Sequence, residues 1–161
     1  MNFLSIIMVC QSIIKKKTKN SRLVLLSAKG KAYDQKKAQQ LTKSKHLILI
    51  AGHYEGVDHR VHENIADEVI SIGNYVLTGG EIPAMVIVDS VIRLIPGALG
   101  NEESLEGESY SDKDNRVKQY PTYTKPKKFK TGAGEEWSVP DVLLSGDHEK
   151  IKSWREQKKI Q

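Results

Sequence analysis

The apolar residues of this chain fall into two rhythms. Continuous runs at Arg22 to Leu26 and His46 to Ala51 read as buried strands, the second of the kind covered on both faces. Val69 to Ile72 reads as a third strand and Tyr75 to Leu77 as a further short one. Between them the period changes. Tyr33 to Lys43 has helical spacing, with Ala38 and Leu41 facing inward and Asp34 near the start. Val57, Val61 and Ile65 recur every four residues, as on one face of a helix. Ile82 to Ile95 is helical and apolar on most sides, since Ala84, Ile87, Val88, Val91, Ile92 and Ile95 cover more than one face; such a helix is buried or lies at a subunit interface. Pro96-Gly97 ends it. Strands alternating with helices predict an α/β domain with a mainly parallel sheet.

The pattern changes after Gly100. Asn101 to Asn115 is acidic, poor in apolar residues, and reads as an exposed or mobile segment. Tyr120 to Lys130 is rich in Lys, Pro and Tyr, and Gly132-Ala133-Gly134 extends it as a linker. A last unit follows: Val139 to Leu144 is apolar, Asp147 can cap a helix, and Ile151 with Trp154 marks that helix's buried stripe.

The length of 161 residues suits one domain with an appendage and a core that needs no staples. A net charge of +5 is compatible with a nucleic-acid partner without requiring one. Cys10 is the only cysteine, which excludes an intrachain disulfide or a Cys-based zinc site and fits a reducing, cytoplasmic setting. The apolar stretch Met1 to Ile14 is too short to span a bilayer. Its basic residues Lys15 to Lys17 follow rather than precede it, the wrong order for a secretory signal, so a buried strand or helix and no membrane partner are expected.

Ligands of open α/β sheets sit beyond the carboxyl ends of the strands. Three turns qualify: Ser27 to Gly30, Gly52 to Gly56, and Ile72 to Gly80. None is a dinucleotide fingerprint or a Walker-type loop. The Gly73 and Gly79-Gly80 turns carry no basic residue, so they suit a flat, weakly charged ligand approached by backbone groups rather than a phosphate. Tight turns in a compact sheet would look the same.

Four blocks decide between these readings: Ala51-Gly52-His53-Tyr54-Glu55-Gly56-Val57-Asp58; the stretch from Ser71 through Ile72-Gly73-Asn74-Tyr75-Val76-Leu77-Thr78-Gly79-Gly80 to Ala84; Arg93-Leu94-Ile95-Pro96-Gly97-Ala98-Leu99-Gly100-Asn101-Glu102; and Val142-Leu143-Leu144-Ser145-Gly146-Asp147-His148. In this order they resemble the bacterial tRNA (guanine-N1)-methyltransferases of the knotted SPOUT superfamily, from about Leu23 to Trp154. The resemblance implies an α/β domain with a mainly parallel sheet and a deep trefoil knot, a homodimer whose active site is shared between subunits, and tRNA as substrate. It implies S-adenosylmethionine held in bent form by Leu26, Ser27, Gly52, Glu55, Ile72, Gly73, Tyr75, Leu77, Gly79 and Gly80. The implied target is the guanine just 3′ of the anticodon.

The chemistry asks for alignment of an activated sulfonium methyl with guanine N1, which still carries a proton. A carboxylate must remove that proton and a cation must offset the charge that develops on the base. Arg93 matches the family's catalytic arginine; an ion pair with Asp89, one turn earlier, is its structural alternative. Glu108, in Glu108-Ser109-Tyr110, stands where the family places an aspartate before Ser-Phe, with Asp112 as a substitute. Glu55 is a second candidate contact to the base, or a cap for the helix at Val57. His53 stands where many relatives carry arginine. His59 and His62 share a helix face without a ligand set, and no metal ligands are assigned to the magnesium that relatives use.

The resemblance also sets domain expectations: a cofactor-binding domain over 1–107, a flexible linker over 108–138, and over 139–161 the helical start of an incomplete tRNA-binding domain. In relatives a first strand and glycine-rich loop precede the region matching Ile7-Met8-Val9-Cys10-Gln11, and the helical domain continues past Trp154-Arg155. The chain thus reads as a fragment, an alternative start or a reduced variant. Lys125, Lys127, Lys128 and Lys130 are candidate phosphate contacts, or a solvated linker. A non-catalytic RNA- or cofactor-binding remnant, and a methylase for another RNA position, are the competing functions.

Overall fold

The computed structural model describes residues 18–53, 56–100, 108–110 and 117–159. The expectations for Met1 to Ile14, for Tyr54, Glu55 and Asp112, and for most of Asn101 to Asn115 lie outside them. Two compact units are present, 1–100 and 101–161.

In the first unit, strand β1 (Ser21–Ala32) lies between β2 (His46–Ala51) and β3 (Glu68–Ser71), parallel to both. Leu23 to Leu26 are buried because they occupy this central position. Successive side chains of a strand point to opposite faces, and the core divides accordingly. Val24 and Leu26 pack with Ile70 under helices α1 (Gln35–Leu41) and α3 (Glu81–Ile92), through Ala38, Leu41, Ile87 and Val91. Leu25 packs on the other face with Val61 of helix α2 (His59–Asn64). The result is a three-layer α/β/α sandwich with a parallel sheet, as expected.

The helices begin where capping chemistry allows. The Asp34 carboxylate accepts from the Lys37 amide at 2.7 Å and opens α1. The Asp58 carboxylate accepts from the Arg60 amide at 2.9 Å and opens α2, so Asp58 is the cap of that helix. Tyr33 ties α3 to the sheet. The Ser90 hydroxyl donates to the Val86 carbonyl at 2.7 Å, which leaves the Tyr33 hydroxyl as donor to Ser90 Oγ at 2.6 Å. Burial raises the Tyr33 pKa, partly offset by that hydrogen bond.

Several boundaries differ from expectation. β1 runs past Leu26 to Ala32, but Leu26 and Lys31 both face Ile70, so Ser27 to Gly30 leave the ladder as an outward loop. β2 lies at the sheet edge among the described residues; only Ile48 is buried, and Leu47, Leu49 and Ile50 are half-buried rather than covered on both faces. Tyr75 to Leu77 is not a strand, having no ladder partner among the described residues; the segment bends, and Gly79 forms an isolated bridge with His53 instead. Helix α3 stops at Ile92, with Arg93 as its C-cap. Its outward side is apolar and open: Ile82, Met85, Val86, Val88 and Ile92 are all exposed.

In the second unit the stretch expected as linker holds a hairpin, β4 (Lys128–Lys130) with β5 (Glu136–Ser138). Its strands are joined through Gly134 at φ 89°, and Phe129 and Trp137 pair across them at 5.9 Å. Helices α4 (Asp141–Leu144) and α5 (His148–Gln157) follow, the second capped by Asp147 as expected. Ile151 and Trp154 are half-buried rather than buried.

Gly30 gives the sharpest test of this packing. A Cβ there would lie 2.6 Å from the backbone of Val69 and Ile70, which cannot swing away like a side chain. Gly30→Ala should cost at least about 1–3 kcal/mol, the usual penalty for overpacking, read as a lowered urea midpoint; an unchanged midpoint would refute the close crossing.

Candidate functional site

The three expected turns meet at the carboxyl ends of β1, β2 and β3. The connection β1–α1–β2 covers one face of the sheet and β2–α2–β3 the other, while β2 and β3 flank β1 on opposite sides. The loops leaving β1 and its neighbours therefore diverge, and a crevice opens at their ends. It holds a cavity of about 290 Å³. Leu26 and Ser27 contribute from β1, Gly52 from β2, and Ile72, Gly73, Tyr75, Leu77, Gly79 and Gly80 from the segment after β3. All the expected cofactor positions within the described residues thus share one cavity. Glu55 lies outside them.

Backbone contact shapes this cavity. The Gly80 amide donates to the Gly52 carbonyl at 2.8 Å. A Cβ on Gly80 would meet Ala51 Cα at 2.7 Å and the Gly52 nitrogen at 3.0 Å. Gly80 is required by this approach rather than by its dihedrals, whereas a Cβ on Gly52 would meet the Val57 side chain at 2.6 Å. At the turn after β3 the Ser71 hydroxyl donates to the Gly73 carbonyl at 3.0 Å, holding the first bend. His53 bonds Glu81 at 2.6 Å, linking the β2 turn to the first turn of α3. The imidazole thus reaches a carboxylate at the head of this helix.

The cavity also takes in residues that sequence reasoning did not single out as site residues: Lys29, Val57, His62, Ser71, Val76 and Pro83. Val57 and His62 arrive on the entry and body of α2, which the Asp58 cap orients. The Asp58 carboxylate grips the Arg60 guanidinium with both oxygens, each at 2.9 Å, and its pKa falls to about 2, chiefly through that side-chain hydrogen bond. The helical period of Val57 and Val61 gives no signal for His62, which follows Val61 by one residue and so lies about 100° round the helix from it. Lys29 lies in the turn Ser27 to Gly30, which is a candidate ligand turn, but the motif match there extends only to Leu26 and Ser27.

The lining suits a flat, mostly uncharged ligand: Leu26, Ile72, Leu77 and Pro83 supply apolar walls, and glycine backbones supply polar groups. Among the described residues no group of three or more His, Cys, Asp or Glu is placed to hold a metal ion. No helix among them is long and apolar enough to cross a membrane.

A family profile described as tRNA (Guanine-1)-methyltransferase TrmD matches residues 3–161. The chain belongs to this family. It is 52% identical over 141 residues to the tRNA (guanine-N(1)-)-methyltransferase of Carboxydothermus hydrogenoformans, covering 88% of this chain and 53% of that protein. The protein of the same name from Staphylococcus carnosus is 47% identical over 140 residues (87% and 54%), and that from Geobacillus kaustophilus 50% over 140 (87% and 54%). The chain spans about half the length of the curated relatives it matches.

Of the two expected catalytic residues, Arg93 is not among those that line the cavity. Arg93 caps the far end of α3, whose first turn lines it. From Pro83, the residue of that turn in the lining, to Arg93 is ten residues, about 15 Å at 1.5 Å each. Glu108 belongs to the second unit, half-buried beside Ser109, whose hydroxyl accepts from the Gln119 amide at 3.0 Å.

His62 makes the site sensitive to acid. Burial lowers its pKa from the ordinary 6.5, His59 and Lys29 add to this, and Glu63 opposes it. With a depressed folded pKa, the unfolded chain takes up more protons as pH falls through the histidine range, so stability falls with pH. His62→Gln should therefore lose less melting temperature than the parent between about pH 7.5 and about pH 5.5. Equal losses in thermal melts would show that His62 is not desolvated.

Proposed function

We propose that this chain carries the S-adenosylmethionine-binding part of a cytoplasmic tRNA methyltransferase that modifies N1 of the guanine just 3′ of the anticodon. The observation that carries the reading is the shared cavity: Leu26, Ser27, Gly52, Ile72, Gly73, Tyr75, Leu77, Gly79 and Gly80 come from three separate turns and line one space. At about 290 Å³ it lies near the lower end of small-molecule sites, and one wall is closed by the approach of Gly80 to β2, where an added Cβ would meet Ala51 Cα at 2.7 Å. When bound, the cofactor supplies an electrophilic methyl group. Leu26, Ile72 and Leu77 exclude water, and backbone groups of the glycine turns orient the ligand.

The remaining steps belong to polar side chains. Glu108 would take up the proton that guanine N1 carries. The Arg93 guanidinium offsets the charge that builds on the guanine as that proton leaves. Glu55 is the further contact to the base. The magnesium used by relatives has no ligand set among the described residues, and no step is routed through it.

The same reading calls for a homodimer. Arg93 stands about 15 Å along α3 from Pro83 in the cavity of its own chain, and an exposed apolar face lies between. Two such helices packed antiparallel about a two-fold axis bury this face and bring Arg93 of one protomer to the other's cavity. A deep trefoil knot through the cofactor turns completes the fold; the close backbone crossings at Gly30 and Gly80 support it.

Incubation with S-adenosylmethionine and a tRNA bearing this guanine should yield 1-methylguanosine on mass spectrometry of the digested tRNA. Arg93→Ala and Glu108→Gln should each lower the rate by about 10²-fold or more. Mixing Arg93→Ala chains with Gly80→Val chains should restore activity, because one mixed site then has an intact cavity and an intact arginine. No restoration would sink the shared site. No product from a chain that still binds cofactor would leave a non-catalytic binding module.

A further inference from the structure

The second unit has its own cavity, about 370 Å³, lined by residues between Tyr120 and Arg155. Its floor is apolar, from Val139, Leu143 and Ile151. Three aromatic residues line it: Tyr120, Tyr123 and Trp154. Tyr123 and Trp154 have ring centroids 6.3 Å apart with their planes tilted at 57°, and Tyr123 is 48% exposed, so part of its ring surface is accessible. The Arg155 guanidinium sits 4.9 Å over the Tyr120 ring. Lys125 and Lys127 complete the lining, which includes no aspartate or glutamate among the described residues.

This charge pattern selects the occupant. An apolar peptide or helix would bury three cations without counter-charges, which is costly. A ligand that is flat in one part and anionic in the next satisfies both halves of the groove. We propose that it is a nucleobase-stacking subsite for single-stranded RNA, in which a base lies against Tyr123 beside Trp154 while Lys125, Lys127 and Arg155 meet the flanking phosphates. The proposal rests on RNA being the substrate, and it sorts the lysines of this region. Lys125 and Lys127 line the groove, whereas Lys128 is paired with Glu136 at 2.8 Å on the hairpin. Stacking provides what phosphate contacts alone do not, a fixed register for one nucleotide.

The test uses Trp154 as reporter. In the full chain carrying Trp137→Phe, the emission of Trp154 is followed during titration with a single-stranded oligoribonucleotide, with heparin and polyglutamate as anions lacking bases. The oligonucleotide should quench Trp154 and the other two should not. Tyr123→Leu should weaken RNA binding about tenfold or more and Tyr123→Phe should restore it. Lys125→Gln and Lys127→Gln should each reduce the salt slope of binding by about 0.7, a readout that a merely structural role would leave unmoved. RNA binding without quenching, and indifferent to Tyr123→Leu, overturns the subsite but leaves the tRNA reading intact. Equal quenching by polyglutamate overturns it in favour of an acidic protein partner. No RNA binding by the parent chain at low salt overturns the tRNA reading itself, and the subsite with it.

Discussion

The contact between Gly80 and the end of β2 is the constraint on which the first unit depends. The Gly80 amide bonds the Gly52 carbonyl at 2.8 Å, and no side chain fits between the two strands of backbone. That single approach sets where α3 begins, because Gly80 is its N-cap. It also closes one wall of the cavity and brings Glu81 within 2.6 Å of His53. Gly30 does the same on the other side, crossing the backbone of β3. Two glycines thus convert an ordinary parallel sheet into one whose carboxyl ends are drawn together around a ligand-sized space.

Helix α3 then carries the consequences outward. One side, through Ile87 and Val91, closes the core. The other side exposes Ile82, Met85, Val86, Val88 and Ile92, a large apolar area for a surface helix. Its head borders the cavity and its tail ends in Arg93. A helix is stiff, so it cannot bring both ends to one place. The distance along α3 between the glycine turns and Arg93, and the uncovered face between them, are two expressions of one geometry, which the proposed pairing of two chains would satisfy.

The two units also divide the chemistry by type of surface. The first unit's cavity is apolar and glycine-lined, suited to a ligand gripped by backbone. The second presents rings and cations, suited to a polyanion with flat bases. The chain spans about half of its curated relatives' length, yet both kinds of surface are built from its described residues.

Much of this was legible in the sequence. The runs around Leu23 and Ile48, the period of Val57 and Val61, the caps Asp34 and Asp147, and the glycine turns follow from local propensity and spacing, which a chain carries within a few residues. The four motif blocks carried family membership in the same local way. What only the tertiary structure decided involves partners far apart in the chain. That β2 lies at an edge among the described residues, that Tyr75 to Leu77 finds no ladder there, and that Ser27 to Gly30 bulge past Ile70 all depend on which backbone lies alongside. The hairpin at Lys128 to Ser138 escaped notice because its strands are three residues long and mostly polar, stabilised by a ring pair and an ion pair that exist only once it closes. Lys29 and His62 entered the cavity for the same reason: spacing fixes a residue's place on its own element, whereas the faces that meet are chosen by packing.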